Sequence, residues 1–401
     1  MPASATTPLV KPLPSVQPGR VLVRGVNWLG DAVMTTPALQ RLRERLPGTH
    51  ITLLTPGKLA GLWLGHPSID QVMTLAAGQT VWSVARQIRT AVPFDLALVL
   101  PNSPRSALET WLGRVPQRVG YARPWRSWFL TRAIPPRPDR VVMRIRSVRE
   151  VRRLCGGQPQ PAPPPAAHQI HEYLHLAAAL GARPEPLAPM AQVAAAEVEQ
   201  AAKVFLADLP RATRSVAAPS PLILGLNPGA EFGPAKRWPA EHFAAVAREA
   251  CRRFPSCVWL LFGATKERVL CAEIARAAPA NALNLAGRTS LRQLMALLKL
   301  CRVLLSNDSG PMHLAAALGT PVVVPFGSTS AELTGPGLPG DARQPHRLLS
   351  SRAGCAPCFR RACPIDFRCM TRLTVEPVLE AVLALIVKTT LPTAGAPPRC
   401  C

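Results

Sequence analysis

Residues 302–326 read RVLLSNDSGPMHLAAALGTPVVVPF. Arg302–Ser306 is a short apolar run that ends in a polar, glycine-containing turn. Met312–Leu318 has the composition of a helix, and Pro321–Phe326 is again strand-like. A strand, a helix and a second strand in this order predict parallel pairing, because a short hairpin cannot return the chain. The same alternation extends upstream through a strand at Leu222–Leu226, a helix at Ala240–Phe254 and a strand at Val258–Phe262. A helix at Lys266–Ala278, a strand at Leu283–Ala286 and a helix at Leu291–Leu300 follow. A separate set opens the chain. Arg20–Val26 and Ile51–Thr55 read as strands, and Ala32–Leu46 places Val33, Ala38, Leu42 and Leu46 at near-helical spacing. Val81–Ala91 reads as helix, and Asp95–Leu100 and Arg118–Tyr121 read as strands. The stretch between the two sets is poor in strands. The expected fold is α/β, with two doubly wound Rossmann-like domains facing a cleft.

The expected boundaries follow. Residues 1–19 and 390–401 are Pro-, Ala- and Thr-rich tails, read as disordered. An N-terminal domain covers 20–215 and carries a basic, proline-rich insert near 139–167. A C-terminal domain covers 216–372, and a helix over 373–389 is expected to pack back on the N-terminal domain.

The chain has 401 residues, which suits two cores, and 48% of them are apolar. Lys and Arg number 47 against 23 Asp and Glu, a formal net charge of +24. That balance favours anionic partners such as nucleic acid, phosphorylated sugars or an anionic membrane face. Basic residues are spread along the chain, aromatics make up only 5%, and no nucleic-acid motif is present, so nucleic acid is not expected as a partner. No run of about 18 apolar residues spans a bilayer, and the first 20 residues lack a secretory core. The expected location is cytoplasmic, peripheral at the inner membrane. Eleven cysteines in that setting read as thiols. The segment 139–154, DRVVMRIRSVREVRRL, is either a solvated loop or an anion- or membrane-facing arm.

Three motifs stand where strands give way to helices. Asn27-Trp28-Leu29-Gly30-Asp31 follows the first strand. Gly30 permits a tight turn. Asp31 either accepts a proton from an attacking hydroxyl or caps the next helix, and Trp28 is either core or a platform for a sugar. Asn227-Pro228-Gly229-Ala230-Glu231-Phe232-Gly233-Pro234-Ala235-Lys236-Arg237-Trp238-Pro239 opens the second set. Its Lys236 and Arg237 either neutralise a diphosphate or form a solvated basic turn. Asn307-Asp308-Ser309-Gly310-Pro311-Met312-His313 lies at a helix start, where free amides favour phosphate and His313 either joins the pocket or is structural. Gly327-Ser328-Thr329-Ser330 ends the next strand and could line the same site. Gly335-Pro336-Gly337-Leu338-Pro339-Gly340 spells G-x-G-x-x-G, but it follows no strand and is not a dinucleotide fingerprint. Cys355, Cys358, Cys363 and Cys369 form a compact cluster that reads as packing, a zinc site or a redox-labile set.

Taken in order, NWLGDAVMTTPAL (27–39), HPSIDQV (66–72), LPNSPRSAL (100–108), RVGY (118–121), PGAEFGPAKRWP (228–239) and SNDSGPMHLAAALGTPVV (306–323) resemble the heptosyltransferases that use ADP-heptose, glycosyltransferase family 9. The Cys355–Cys369 segment adds to the match. Among family members the chain looks most like those that add the second heptose of the lipopolysaccharide inner core. The resemblance implies a two-domain glycosyltransferase fold of the B type and inverting transfer without a required metal or cofactor. It implies ADP-heptose as donor and a lipid-linked inner-core acceptor at an anionic membrane surface, with the protein working as a monomer. Asp31 matches the family's proposed base and Lys236 the lysine near the donor phosphates. Asp308, Ser309, Gly310 and His313 match the nucleotide-contacting segment, and Glu267 sits where a ribose-binding carboxylate is expected. Trp28, Gly30, Asn102 and Ser103 fall on the acceptor side. Transfer of a different nucleotide sugar, addition of the first heptose, and a sugar epimerase of the same architecture are the competing readings. The insert near 139–167 and the long N-terminal tail depart from the family pattern.

Overall fold

The computed structural model describes residues 18–207, 221–278 and 281–388. Two parallel six-stranded sheets carry the fold. The first contains β1 (Arg20–Arg24), β2 (His50–Pro56), β3 (Gln71–Leu75), β4 (Leu96–Val99), β5 (Gln117–Tyr121) and β6 (Arg132–Ile134), in the order β3-β2-β1-β4-β5-β6. The second contains β7 (Leu222–Asn227), β8 (Cys257–Leu261), β9 (Ala282–Asn284), β10 (Leu304–Ser306), β11 (Val322–Phe326) and β12 (Arg347–Ser350), in the order β12-β11-β10-β7-β8-β9. Each sheet has the doubly wound arrangement. The order reverses between β1 and β4 and again between β7 and β10, and ligands gather beyond the carboxyl ends of the strands at such a reversal.

Central strands are apolar on both faces because helices cover both. Val21, Leu22 and Val23 of β1 are fully buried, as is every residue of β8. Val21 pairs with Ile51 on one side and Leu96 on the other, which fixes the register of the first sheet. Helix Leu29–Arg45 packs against helix Ile170–Ala178. Helix Ala240–Arg253 buries Phe243, Val246, Ala247 and Ala250 in the second core.

The chain forms two compact units whose composition differs from the expected boundaries. The first runs to Val142, resumes over Ala162–Val193 and includes Glu332–Asp341. The second holds Met143–Pro161, Ala194–Ala331 and the described chain from Ala342 onward. Much of the basic insert therefore belongs to the second unit, not to the N-terminal domain. Helix Val148–Leu154 buries Val151 in the second core beside Cys355, Cys358 and Cys369. The Arg146 amide donates to the Cys358 carbonyl (3.0 Å) and its guanidinium to the Cys355 carbonyl (3.2 Å), while Arg368 donates to the Cys155 carbonyl (3.1 Å). These bonds tie the segment to the second unit.

The segment 332–341 crosses the other way. Leu333 accepts a hydrogen bond from the Gln169 amide (2.9 Å), and Gly335 accepts one from His168 Nε2 (3.0 Å). His168 Nδ1 already accepts from the Ile170 amide, which leaves the proton on Nε2. The run 335–340 follows a helical turn rather than a strand, as read.

One further expectation is corrected, and the closing helix, Val375–Lys388, is placed within the second unit. Its Val378, Val382, Leu385 and Ile386 join the second core, and it packs on helix Ala240–Arg253. Cys251 and Cys257 are joined by a disulfide, so the thiol reading fails at that pair. The tails expected at 1–19 and 390–401 lie outside the described residues except for Pro18 and Gly19, which lead into β1 through hydrogen bonds to Thr49 and His50. Among the described residues no helix is long and apolar enough to cross a membrane.

Candidate active site

In the first unit, the loops leaving β1 and β4 carry the acceptor-side candidates to the point where strand order reverses. Helix Leu29–Arg45 begins directly after Trp28, which occupies the N-cap position in extended backbone with no side-chain cap. Asp31 is thus the third helical residue and not the cap, although a carboxylate in the first turn still suits the helix dipole. Gln169 Nε2 donates to Asp31 Oδ1 (3.1 Å) and to the Tyr173 hydroxyl (3.0 Å). Burial first, and then the Asp31 charge, hold the Tyr173 phenol well above its ordinary value, so it stays neutral. Trp28 is exposed, with Lys58 Nζ 5.6 Å from its ring centroid. This placement removes the core reading. Asn102 is exposed just past β4. Ser103 caps helix Pro104–Leu112 by accepting from the Ser106 amide (3.2 Å). Beneath these loops a buried ion pair joins Arg24 at the end of β1 to Glu109 (2.9 Å), and Arg105 binds the other carboxylate oxygen (2.9 Å). Sequence reading gave no role to Gln169 or Glu109, because their partners lie 138 and 85 residues away.

In the second unit the reversal between β7 and β10 brings two of the quoted loops together. Asn307 Nδ2 donates to the Pro228 carbonyl (2.7 Å), and the Trp238 amide donates to Asn307 Oδ1 (3.0 Å). Asn227 Nδ2 reaches the hydroxyls of Ser306 (3.2 Å) and Ser309 (3.0 Å). Stitched this way, the loops set Lys236 Nζ 2.6 Å from Asp308 Oδ2, with side chains only 13% and 4% exposed. Thr329, from the loop after β11, donates to the same carboxylate oxygen at 2.5 Å. Lys236 also lies 4.8 Å from the Phe232 ring centroid, with Arg361 near that ring at 5.4 Å.

Helix Gly310–Ala317 starts beside this pair and carries His313 in its first turn. Burial lowers the His313 pKa to about 4. Asp308 and Lys236 act on it with opposite signs, so it is neutral near pH 7. A neutral imidazole next to a lysine leaves the positive charge to the ammonium.

Glu267 sits in a 3-10 turn after β8, and its carboxylate accepts from the Ala264 amide (2.8 Å). It lies directly over Gly229: a Cβ built there would meet Glu267 Oε1 at 2.1 Å and Oε2 at 2.5 Å. Gly229 is therefore required by close approach. Gly229→Ala is expected to push the carboxylate aside and lower kcat/KM for the donor by roughly tenfold to a hundredfold, the usual cost of an ångström-scale misplacement. Steady-state kinetics over a donor series checks this. Unchanged kinetics would separate Glu267 from the donor site.

The cysteine segment supports the loop that carries Lys236 and the loop after β11. Ser328 O accepts from the Cys358 (3.0 Å) and Phe359 (2.7 Å) amides, and Arg361 O accepts from the Ala235 amide (3.0 Å). Gly233, at φ 150°, lets the lysine loop approach Arg361 O, which a Cβ would meet at 2.5 Å. Burial raises the thiols of Cys355, Cys358 and Cys369, the last to about 12. Among the described residues no group of three or more His, Cys, Asp or Glu side chains is arranged to hold a metal ion. Cys355, Cys358 and Cys369 are buried in the second core.

The family described as glycosyltransferase family 9 (heptosyltransferase) matches residues 81–367. The chain is 30% identical to the lipooligosaccharide heptosyltransferase 2 of Haemophilus ducreyi, over 79% of this chain and 86% of that protein. It is 31% identical to the lipopolysaccharide heptosyltransferase 2 of Salmonella typhimurium, over 79% of this chain and 85% of that protein. The solved ADP-heptose lipopolysaccharide heptosyltransferase II of E. coli superposes with a TM-score of 0.70 at 26% identity, covering 93% of this chain and all of that one. A family match over residues 81–367, with relatives 30% and 31% identical over 79% of the chain, shows that the chain belongs to glycosyltransferase family 9, the heptosyltransferases.

Proposed function

We propose that the enzyme transfers L-glycero-D-manno-heptose from ADP-heptose to the first heptose of the lipopolysaccharide inner core, with inversion at the anomeric carbon. The observation that carries this reading is the Lys236–Asp308 pair, held beside Ser309 and His313 where the second sheet reverses its strand order. The diphosphate of the donor lies against Lys236 and the amides at Ser309 and Gly310, with Glu267 toward the ribose. Asp31 takes the proton of the acceptor hydroxyl as its oxygen bonds to the anomeric carbon. The bond from that carbon to the phosphate oxygen breaks, and ADP leaves with the electron pair. Lys236 and oriented amides stabilise the charge that grows on the leaving diphosphate. Trp28, Gly30, Asn102 and Ser103 flank the acceptor. The decisive experiment is turnover of ADP-heptose against a panel of truncated core acceptors. Transfer only to acceptors that already carry the first heptose supports the reading, and transfer to acceptors lacking it overturns it.

In this proposal the domains keep their expected roles, with the acceptor on the first and the nucleotide sugar on the second. The protein acts as a monomer on the cytoplasmic side of an anionic membrane. Lysine and helix amides supply the phosphate charge, so activity is expected to survive EDTA at its full rate. Complete loss restored by magnesium would contradict this, and loss restored only by zinc would move attention to Cys355–Cys369.

A further inference from the structure

The loop after β5 is built to hold two indole rings away from the protein. Trp125 and Trp128 are 72% and 76% exposed, and their rings meet edge to face at 5.6 Å and 77°. Trp128 is followed by Phe129, whose ring lies 5.7 Å from that of Trp111, also exposed. Exposed apolar surface gathered in one place marks sites of interaction. The loop is also fixed. Trp125 adopts a left-handed backbone at φ 61°, a conformation that a bulky residue keeps only when its surroundings enforce it. What enforces it is Arg126, fully buried beneath, which donates to Tyr121 O (2.5 Å) and Val99 O (3.0 Å) at the ends of β5 and β4. Gly120 makes room for that guanidinium, since a Cβ there would meet Arg126 Nη2 at 2.7 Å.

The segment that carries these exposed rings is basic. Besides the buried Arg126, the chain between Pro104 and Ile134 has five arginines (105, 114, 118, 123 and 132) and one acid, Glu109, which is buried against Arg24 and Arg105. The loop leaves the carboxyl edge of the first sheet, the same edge that carries Asp31 and Asn102.

We propose that Trp125 and Trp128 dock the enzyme on an anionic bilayer by inserting into its headgroup region, with the surrounding arginines facing lipid phosphates. The inference deepens the proposed function, resting on a lipid-linked acceptor. Indoles favour the membrane–water boundary, and basic side chains nearby add attraction that salt weakens. A saccharide platform fits less well. The depression beside the rings is lined by Ala122, Arg123, Pro124, Trp125, Ser127 and Trp128. Its Ser127 hydroxyl is already bonded to the Arg123 amide (3.1 Å) and carbonyl (3.0 Å), which leaves the Arg123 side chain as the main polar partner for sugar hydroxyls.

The test uses full-length protein and vesicles of phosphatidylcholine mixed with phosphatidylglycerol, with no donor present. Binding is read by co-sedimentation, and insertion by quenching of tryptophan emission with brominated lipid tails. The Trp125→Ala/Trp128→Ala variant is expected to bind roughly tenfold or more weakly and to lose most of the quenching, since interfacial affinity scales with apolar area inserted. Trp82→Ala, which removes a 71% exposed indole from helix Val81–Thr90, is expected to match wild type. Turnover of the double variant on a soluble acceptor fragment should stay at the wild-type level, which separates this surface from the transfer reaction. Vesicle binding unchanged in the double variant overturns the proposal, as does wild-type protein that fails to bind. Unchanged binding with a raised KM for the soluble fragment overturns it in favour of a sugar platform.

Discussion

Asp31→Ala is expected to lower turnover by about 10²–10⁴-fold, the range that a positioned general base contributes, while ADP affinity stays close to wild type. The carboxylate stands in the first turn of helix Leu29–Arg45, at the carboxyl edge of the first sheet, whereas the proposed diphosphate contacts all belong to the second unit. Gln169 Nε2 holds Oδ1, so one carboxylate oxygen is fixed. Asp31→Asn keeps the shape and removes the basicity, and is expected to lose as much. A purely helical role predicts something different. A first-turn acid contributes about 0.3–1 kcal/mol to its helix through the dipole, which would lower the melting temperature slightly and leave turnover nearly intact. Saturating-donor kinetics, an ADP titration and a melting curve on the same variants distinguish the two. A variant that retains more than about a tenth of wild-type turnover, against that 10²–10⁴-fold expectation, removes Asp31 from the role of base.

The central strands were legible because burial on both faces leaves an unbroken apolar run, as in Val258–Leu261 or Val322–Val324. Of the four edge strands only β9 was. Gln71–Leu75 and Arg347–Ser350 lie at sheet edges and are partly exposed, and Arg132–Ile134 has only three residues, so none carries that signal. The strand–loop–helix junctions were legible because glycine, proline and small polar residues interrupt the apolar pattern where ligands sit. Lys236, Asp308, Ser309 and His313 came from two such junctions, and the structure gathers them. Their mutual geometry was not legible, since Lys236 and Asp308 are 72 positions apart and nothing local specifies that they pair. The insert was misplaced for a similar reason. Arginines at 144–153 read as a solvated loop or an anion- or membrane-facing arm, and neither reading specifies that Arg146 donates to carbonyls more than 200 residues away or that Val151 joins the second core. The closing helix buries Val378, Val382, Leu385 and Ile386 in the second core, a placement its sequence does not specify because such an apolar face fits any core.

Lys236→Ala is expected to lower kcat/KM for ADP-heptose by about 10²–10³-fold, the usual loss when one fixed electrostatic contact to a leaving group is removed. The ammonium is well placed for both stages of the reaction: it attracts the bound diphosphate and stabilises the ADP that departs. The variant also has a structural cost. Asp308 is 4% exposed and would be left charged with Thr329 as its remaining side-chain partner. Breaking one side of a buried ion pair commonly destabilises by about 3–5 kcal/mol. Loss of activity in the single variant therefore has two explanations, and the Lys236→Met/Asp308→Asn double variant separates them. It removes both charges together, so stability should recover much of the loss, as read by thermal melting. If Lys236 contacts the diphosphate, donor binding stays weak in the double variant. If the lysine serves only to neutralise Asp308, donor binding returns with stability. Arg237 is the competing cation, adjacent in the loop and with its buried Nε left without a hydrogen-bond partner among the described residues. Wild-type kinetics in the Lys236 variants, together with a large loss in Arg237→Ala, would transfer the phosphate contact to Arg237 and leave Lys236 as the residue that holds Asp308 in place.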